Sequence, residues 1–103
     1  EKLAMAYYLD GKISAQWGTH THVQTADEQI LPNGTGYLTD LGMTGPVRSV
    51  IGVRLEQSIA NFRGELTSRY EVAPGPCMLT GAVFTYDAAA KRCTGAERVR
   101  ILD

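Results

Sequence analysis

Four breaks decide what this chain can fold into: Asp10-Gly11, Pro32-Asn33-Gly34, Gly42-Met43-Thr44-Gly45-Pro46 and Pro74-Gly75-Pro76. Glycine leaves regular backbone at little steric cost and proline removes a donor, so ordered segments end at each break. The first segment, Glu1 to Asp10, reads as a helix with Leu3, Ala4, Tyr7 and Tyr8 on one side. Ile13, Ala15 and Trp17 then alternate with Ser14 and Gln16, a strand with one buried face. Gln29-Ile30-Leu31 is a brief apolar piece, and Thr35 to Leu41 reads as a second strand. From Arg54 to Thr67, Leu55, Ile59, Phe62 and Leu66 fall on one helical stripe, expected to pack on a sheet. Met78 to Tyr86 reads as a long strand, Asp87 to Arg92 as a connection, and Arg98 to Leu102 as the return of a hairpin. Helix, strands, helix and hairpin in one short chain make a mixed α/β fold, with residues 1–103 expected to form a single unit.

Composition narrows the function classes. Ten basic against eleven acidic residues leave a net charge of −1 with no basic patch, so no polymeric nucleic acid is expected as a partner. No run of eighteen apolar residues exists, which excludes a membrane-spanning helix. Arg98 and Arg100 alternate with Val99 and Ile101, as on the solvent face of a strand. Cys77 and Cys93 form neither a disulfide framework nor a Cys-x-x-Cys knuckle. Without a secretory signal, reduced thiols in the cytoplasm are the expectation.

The chemistry-bearing residues lie in Gly18-Thr19-His20-Thr21-His22-Val23-Gln24-Thr25, which holds both histidines of the chain. In extended backbone a His-x-His pair places both imidazoles on one face, half of a metal site. On spacing alone the pair is equally readable as two polar loop residues, because a dyad is not a ligand set. The alternation from Ile13 predicts that His20 and His22 stand side by side at the end of that strand, where ligands of open α/β sheets gather. The Gly42–Pro46 loop offers backbone amides to an oxyanion but lacks the lysine of a P-loop.

The run from Gly18 through Asp27 to Ile30-Leu31-Pro32 resembles the YmdB-like branch of the bacterial calcineurin-type metallophosphoesterases. The likeness continues through Tyr37-Leu38-Thr39-Asp40-Leu41-Gly42-Met43-Thr44-Gly45-Pro46 and Ser49-Val50-Ile51-Gly52, and the opening helix fits as well. It implies a partial four-layered metallophosphoesterase sandwich and the hydrolysis of phosphodiesters, including 2′,3′-cyclic nucleotides and cyclic AMP. It implies a dinuclear centre, iron or manganese, in the complete enzyme, with His20 and His22 as metal ligands of its last Gly-x-His-x-His motif. In such enzymes a metal-activated water attacks phosphorus while the metals neutralise charge on the phosphate oxygens. Thr21, Gly42, Thr44 and Gly45 are carried over on the substrate side.

The resemblance covers the C-terminal part of that family, less than half of the protein. The family's N-terminal aspartate, glutamate and asparagine ligands, its catalytic histidine and a further histidine ligand have no counterpart here. Asp27, Glu28 and Asp40 are acidic residues near the motif that match no family ligand. Three readings follow, in order. The chain is part of a phosphodiesterase, inactive alone and completed by the missing N-terminal half. Or it is a non-catalytic structural domain that self-associates, as a homo-oligomer, to cover an exposed sheet face. Or it is a single-metal site in which Asp27, Asp40 or another chain completes His20 and His22. The isolated chain, with two imidazoles and no carboxylate ligand, is expected to bind metal weakly and to prefer zinc, copper or nickel to manganese.

Overall fold

The computed structural model describes every residue except Thr67. Its elements run α1 (Lys2–Leu9), β1 (Ala15–Trp17), β2 (Gln29–Ile30), β3 (Gly36–Leu38), β4 (Gly45–Pro46), α2 (Leu55–Phe62), β5 (Cys77–Asp87) and β6 (Arg92–Leu102). The strands form two three-stranded sheets, ordered β1-β3-β2 and β4-β5-β6. This is the mixed α/β architecture that the segment pattern predicts. Contacts divide the chain into two compact units, Glu1–Met43 with Thr80–Arg100 and Thr44–Leu79 with Ile101–Asp103.

In the first unit β3 is the central strand and all three of its residues are buried. It pairs parallel with β1, Gln16 opposite Tyr37, and antiparallel with β2, Ile30 opposite Gly36. Ala6, Leu31 and Tyr37 form the core cluster. The predicted apolar side of α1 is corrected here: Ala6 is the buried residue, while Leu3, Tyr7 and Tyr8 are exposed. A methyl lets the helix approach Leu31 and Tyr37 closely, where a tyrosine ring has no room. Buried Thr35 links the entry of the sheet, accepting from the Gly11 amide at 2.8 Å and donating to the Ile13 carbonyl at 2.9 Å. The Trp17 and Phe84 rings stack with centroids 6.0 Å apart, joining β1 to β5. Buried Cys93 donates its amide to the Gly34 carbonyl at 2.7 Å and its thiol to the Ser14 carbonyl at 3.2 Å.

The predicted second strand, Thr35 to Leu41, shrinks to Gly36–Leu38. Beyond Leu38 the side chains of Thr39 and Asp40 turn to local partners instead of a neighbouring strand. The hairpin is longer than predicted, because pairing extends back from Arg98 to Arg92. Its turn is fixed by the Asp87 carboxylate, which accepts from the Ala89 and Ala90 amides at 2.9 and 3.1 Å. Both cysteines are free thiols, Cys77 exposed and Cys93 buried.

The second unit is held mainly by backbone bonds. β4 pairs antiparallel with the start of β5, Gly45 opposite Met78 and Pro46 opposite Cys77. The Ala73 amide reaches the Gly52 carbonyl at 2.9 Å, and the Arg54 amide the Glu71 carbonyl at 3.1 Å. Helix α2 carries Glu56 in its first turn, where a carboxylate complements the helix dipole. It ends at Phe62, short of the predicted Thr67, which lies outside the described residues. The expected packing of its stripe is also corrected: Leu55, Ile59 and Phe62 are 41%, 55% and 92% exposed, and Leu66 past the helix is fully exposed. Among the described residues of this unit only Pro46 and Ala73 are buried, so α2 has no sheet face of its own unit to cover it.

Candidate functional site: a clamped histidine loop

β1 ends at Trp17, and the chain then leaves the sheet through Gly18. A Cβ at Gly18 would lie 2.3 Å from the Thr39 carbonyl oxygen and 2.8 Å from Cδ of Lys2, so only glycine permits this exit. The Gly18 amide donates to the Leu38 carbonyl at 3.2 Å, and the Leu41 amide donates back to the Gly18 carbonyl at 2.9 Å. These bonds anchor the loop to the end of β3.

His20 and His22 follow in a bend, not in extended backbone, with φ of +108° and +66°. The pair lies just past the end of β1, but the extended geometry expected for it is corrected, and pleat alternation is not what orients it. Both histidines are exposed. Thr21 between them is tied down twice, its amide and its hydroxyl donating to Oδ2 of Asp40 at 2.9 and 2.7 Å. The Thr21 hydroxyl also accepts from the Val23 amide at 3.2 Å.

Asp40 is fully buried and organises the site. Besides the two bonds from Thr21, its Oδ2 takes an ion-paired bond from Nζ of Lys2 at 3.4 Å, and Oδ1 accepts from the Gly42 amide at 2.9 Å. Gly42 adopts φ of +83°, which aims that amide at the carboxylate without steric cost. Burial pushes the Asp40 carboxyl upward, but the bonds from Gly42, Thr21 and Lys2 outweigh it and hold the pKa at about 2. Lys2 bridges further to the Thr19 carbonyl at 2.6 Å, so α1 holds the loop from its near side.

A second clasp closes the far end. Asp27 accepts from the Thr25 hydroxyl at 2.7 Å, from the Thr39 amide at 3.1 Å and from the Thr39 hydroxyl. Burial raises the Asp27 carboxyl and these bonds more than reverse it, leaving its pKa below the ordinary value. The Thr25 amide bonds the Asp40 carbonyl at 3.1 Å and its hydroxyl accepts from the Asp40 amide at 2.9 Å. Gln24 reaches across to the Gly81 and Val99 carbonyls, each at 3.0 Å, and Glu28 pairs with Arg98 at 2.9 Å.

The structure thus brings the His20–His22 loop and the separate Gly42 segment together on the Asp40 carboxylate. Gly45 lies in β4, within the second unit with Thr44. Asp27 and Asp40 both accept several hydrogen bonds from this chain's own donors. Among the described residues no group of three or more His, Cys, Asp or Glu is placed to hold a metal ion. Motif reading passes over Asp40 as an anchor. The signal for it is an aspartate two residues after a wholly buried strand, where an unpaired charge is too costly to remain.

The family described as YmdB-like protein matches residues 1–99. The chain belongs to the YmdB-like family. It is 48% identical over 103 residues to the 2′,3′-cyclic-nucleotide 2′-phosphodiesterase of Bacillus subtilis (strain 168), covering all of this chain and 39% of that protein. It is 40% identical to a putative phosphatase/phosphodiesterase of Mycoplasma pneumoniae, covering 37% of it. Among solved structures, a hypothetical protein from Thermus thermophilus superposes with a TM-score of 0.90 at 37% identity, over 100% of this chain and 40% of the other. A novel phosphatase of Mycoplasma pneumoniae superposes with a TM-score of 0.89 at 40% identity, over 98% of this chain and 36% of the other. The YmdB-like chain therefore spans under half the length of the relatives it matches, and the curated ones are named as phosphodiesterases and phosphatases. No helix among the described residues is long and apolar enough to cross a membrane.

Proposed function

We propose that this chain supplies the histidine loop of a metal-dependent phosphodiesterase acting on 2′,3′-cyclic nucleotides or cyclic AMP, and that it is inactive without further ligands. The observation that carries this reading is the loop itself. Two exposed imidazoles flank a threonine whose polar groups are spent on a buried carboxylate, so His20 and His22 remain as the donors available to a ligand. That donor set suits a metal ion, and imidazole suits iron as well as zinc, copper and nickel.

Two histidines do not complete a dinuclear iron or manganese centre, and the use of Asp27 and Asp40 to hold the loop supports ligands supplied by the N-terminal half of such an enzyme. When bound, the metals supply Lewis-acid stabilisation and a nucleophile at neutral pH. The residues of this chain hold and orient. Lys2, Asp40 and Asp27 fix the loop, and Thr21 and Gly42, whose donors go to Asp40, shape the rim next to the substrate. Thr44 and Gly45, which follow Gly42 in the chain, are assigned to the substrate side as well. In this reading residues 1–103 act as one part of a cytoplasmic enzyme.

An assay of adenosine 2′,3′-cyclic phosphate hydrolysis with manganese or iron tests it. The chain alone is expected to show no turnover, and addition of the N-terminal portion of a YmdB-like enzyme is expected to restore it. Turnover by the lone chain that disappears in a His20→Ala/His22→Ala variant would overturn the need for outside ligands. A second reading, a self-associating non-catalytic domain, is favoured by the exposed stripe of α2. Restored turnover with the N-terminal portion would argue against it.

A further inference from the structure

His20 and His22 both sit in positive-φ backbone, and the only residue between them is fastened by two bonds to a single oxygen. Outside glycine, positive φ persists only where surrounding structure over-determines it. Thr21 is exposed, so burial does not fix it: Oδ2 of Asp40 holds both its amide and its hydroxyl, the hydroxyl also bonds the Val23 backbone, and Lys2, itself paired with Asp40, holds the Thr19 carbonyl. Asp40 stands eighteen positions beyond His22, yet the backbone on both sides of Thr21 follows from where that oxygen holds it. The same carboxylate takes the Gly42 amide and the Lys2 ammonium, so three segments meet on it.

We propose that Asp40 is the positioning residue of the histidine loop: through Thr21 it sets the backbone on either side and so fixes how His20 and His22 are presented to a metal site. The inference rests on the reading of the two imidazoles as metal ligands. Bonds to a charged acceptor are stronger and more directional than neutral ones, which suits a carboxylate to this task better than an amide. In an Asp40→Asn variant one of the two oxygens becomes a donor, so the donors of Thr21 and Lys2 or that of Gly42 lose their acceptor, and the charge that strengthens all of these bonds is lost.

The test uses the 103-residue chain, with zinc as probe and calorimetry and NMR as readouts. Asp40→Asn and Thr21→Val are compared with Thr21→Ser, which keeps the hydroxyl, and with a His20→Ala/His22→Ala variant. Both disruptive variants are expected to speed amide exchange at Thr21, to move the Cα shifts of His20 and His22 toward ordinary backbone, and to weaken zinc binding about tenfold or more. Thr21→Ser is expected to keep wild-type shifts and affinity. A general structural role would not produce that pattern, because Thr21→Val and Thr21→Ser differ at the hydroxyl that bonds Asp40 and the Val23 backbone, while the Ala6, Leu31 and Tyr37 cluster is the same in both. Should Asp40→Asn fail to fold, Thr21→Val alone decides. Unchanged histidine shifts and zinc affinity in Thr21→Val would overturn the positioning role. Wild-type zinc binding no tighter than in the double histidine variant would instead overturn the ligand reading, and with it the purpose assigned to Asp40.

Discussion

At His20 and His22 the backbone bears the cost of the site. Residues other than glycine in sparsely populated positive-φ regions cost on the order of 1–3 kcal/mol each, whereas a glycine costs roughly 0.5–1 kcal/mol in chain entropy. The first effect outweighs the second at His20, whose φ of +108° is the more extreme of the pair. His20→Gly is therefore expected to stabilise the fold by about 1 kcal/mol while abolishing metal binding. A urea midpoint for His20→Gly at or below that of the parent would show that the backbone is not strained. Asp40 sets a pH dependence of the opposite kind. Its folded pKa of about 2 lies below the ordinary carboxyl value of about 3.9, so its contribution is complete above roughly pH 5 and is lost as the pH falls toward 2. The contribution is on the order of 1–2 kcal/mol after allowance for solvent near the Lys2 bond. Asp10 and Asp27, also lowered, act in the same direction. Urea midpoints at pH 7 and pH 3 measure the loss, and Asp40→Asn is expected to flatten the difference.

Among the elements, the exit from β1 and the residues that follow β3 are in backbone contact. The Thr39 carbonyl lies where a side chain on Gly18 would begin, and that neighbour is backbone rather than a yielding side chain. Gly18→Ala is expected to destabilise by about 1–3 kcal/mol, the usual range for forced overpacking, and to loosen the Gly18–Leu41 bond. Thermal unfolding within about 1 °C of the parent would refute this, since a loss of that size moves a domain of this length by several degrees. Periodicity makes the elements legible to different depths. Alternation marks β1 and β5, and Asp10-Gly11 marks the end of α1, because these are local signals. The end of β3 is invisible to periodicity, since Thr39 and Asp40 continue the pattern while their side chains bond Tyr37, Asp27 and Gly42. The histidine pair is legible as a motif but not as a geometry, because its orientation depends on Asp40, far along the chain. The apolar stripe of α2 is legible too, yet amphipathicity says only that a face wants cover, not that this chain provides it.

For the molecule as a whole, cover is what the second unit lacks. Its apolar cavity of about 490 Å³ is open and lined by Val50, Ile51, Val53, Ile59, Phe62 and Tyr70. Contiguous exposed apolar surface of this kind normally meets another surface. The 103-residue chain is expected to self-associate at micromolar concentration, and Phe62→Ser with Ile59→Ser to shift it toward monomer. Sedimentation velocity over a wide concentration range checks this, and a parent that stays monomeric throughout would refute it. The first unit is better sealed, and its one thiol measures how well. Cys93 is buried with its thiol donating to the Ser14 carbonyl, while Cys77 stands open to solvent. A thiol reagent is therefore expected to modify Cys77 on mixing and Cys93 only as often as the first sheet opens. The second phase is a clock for that opening, and a metal ion bound at the histidine loop, joined to β3 through Gly18, should slow it in proportion to its occupancy.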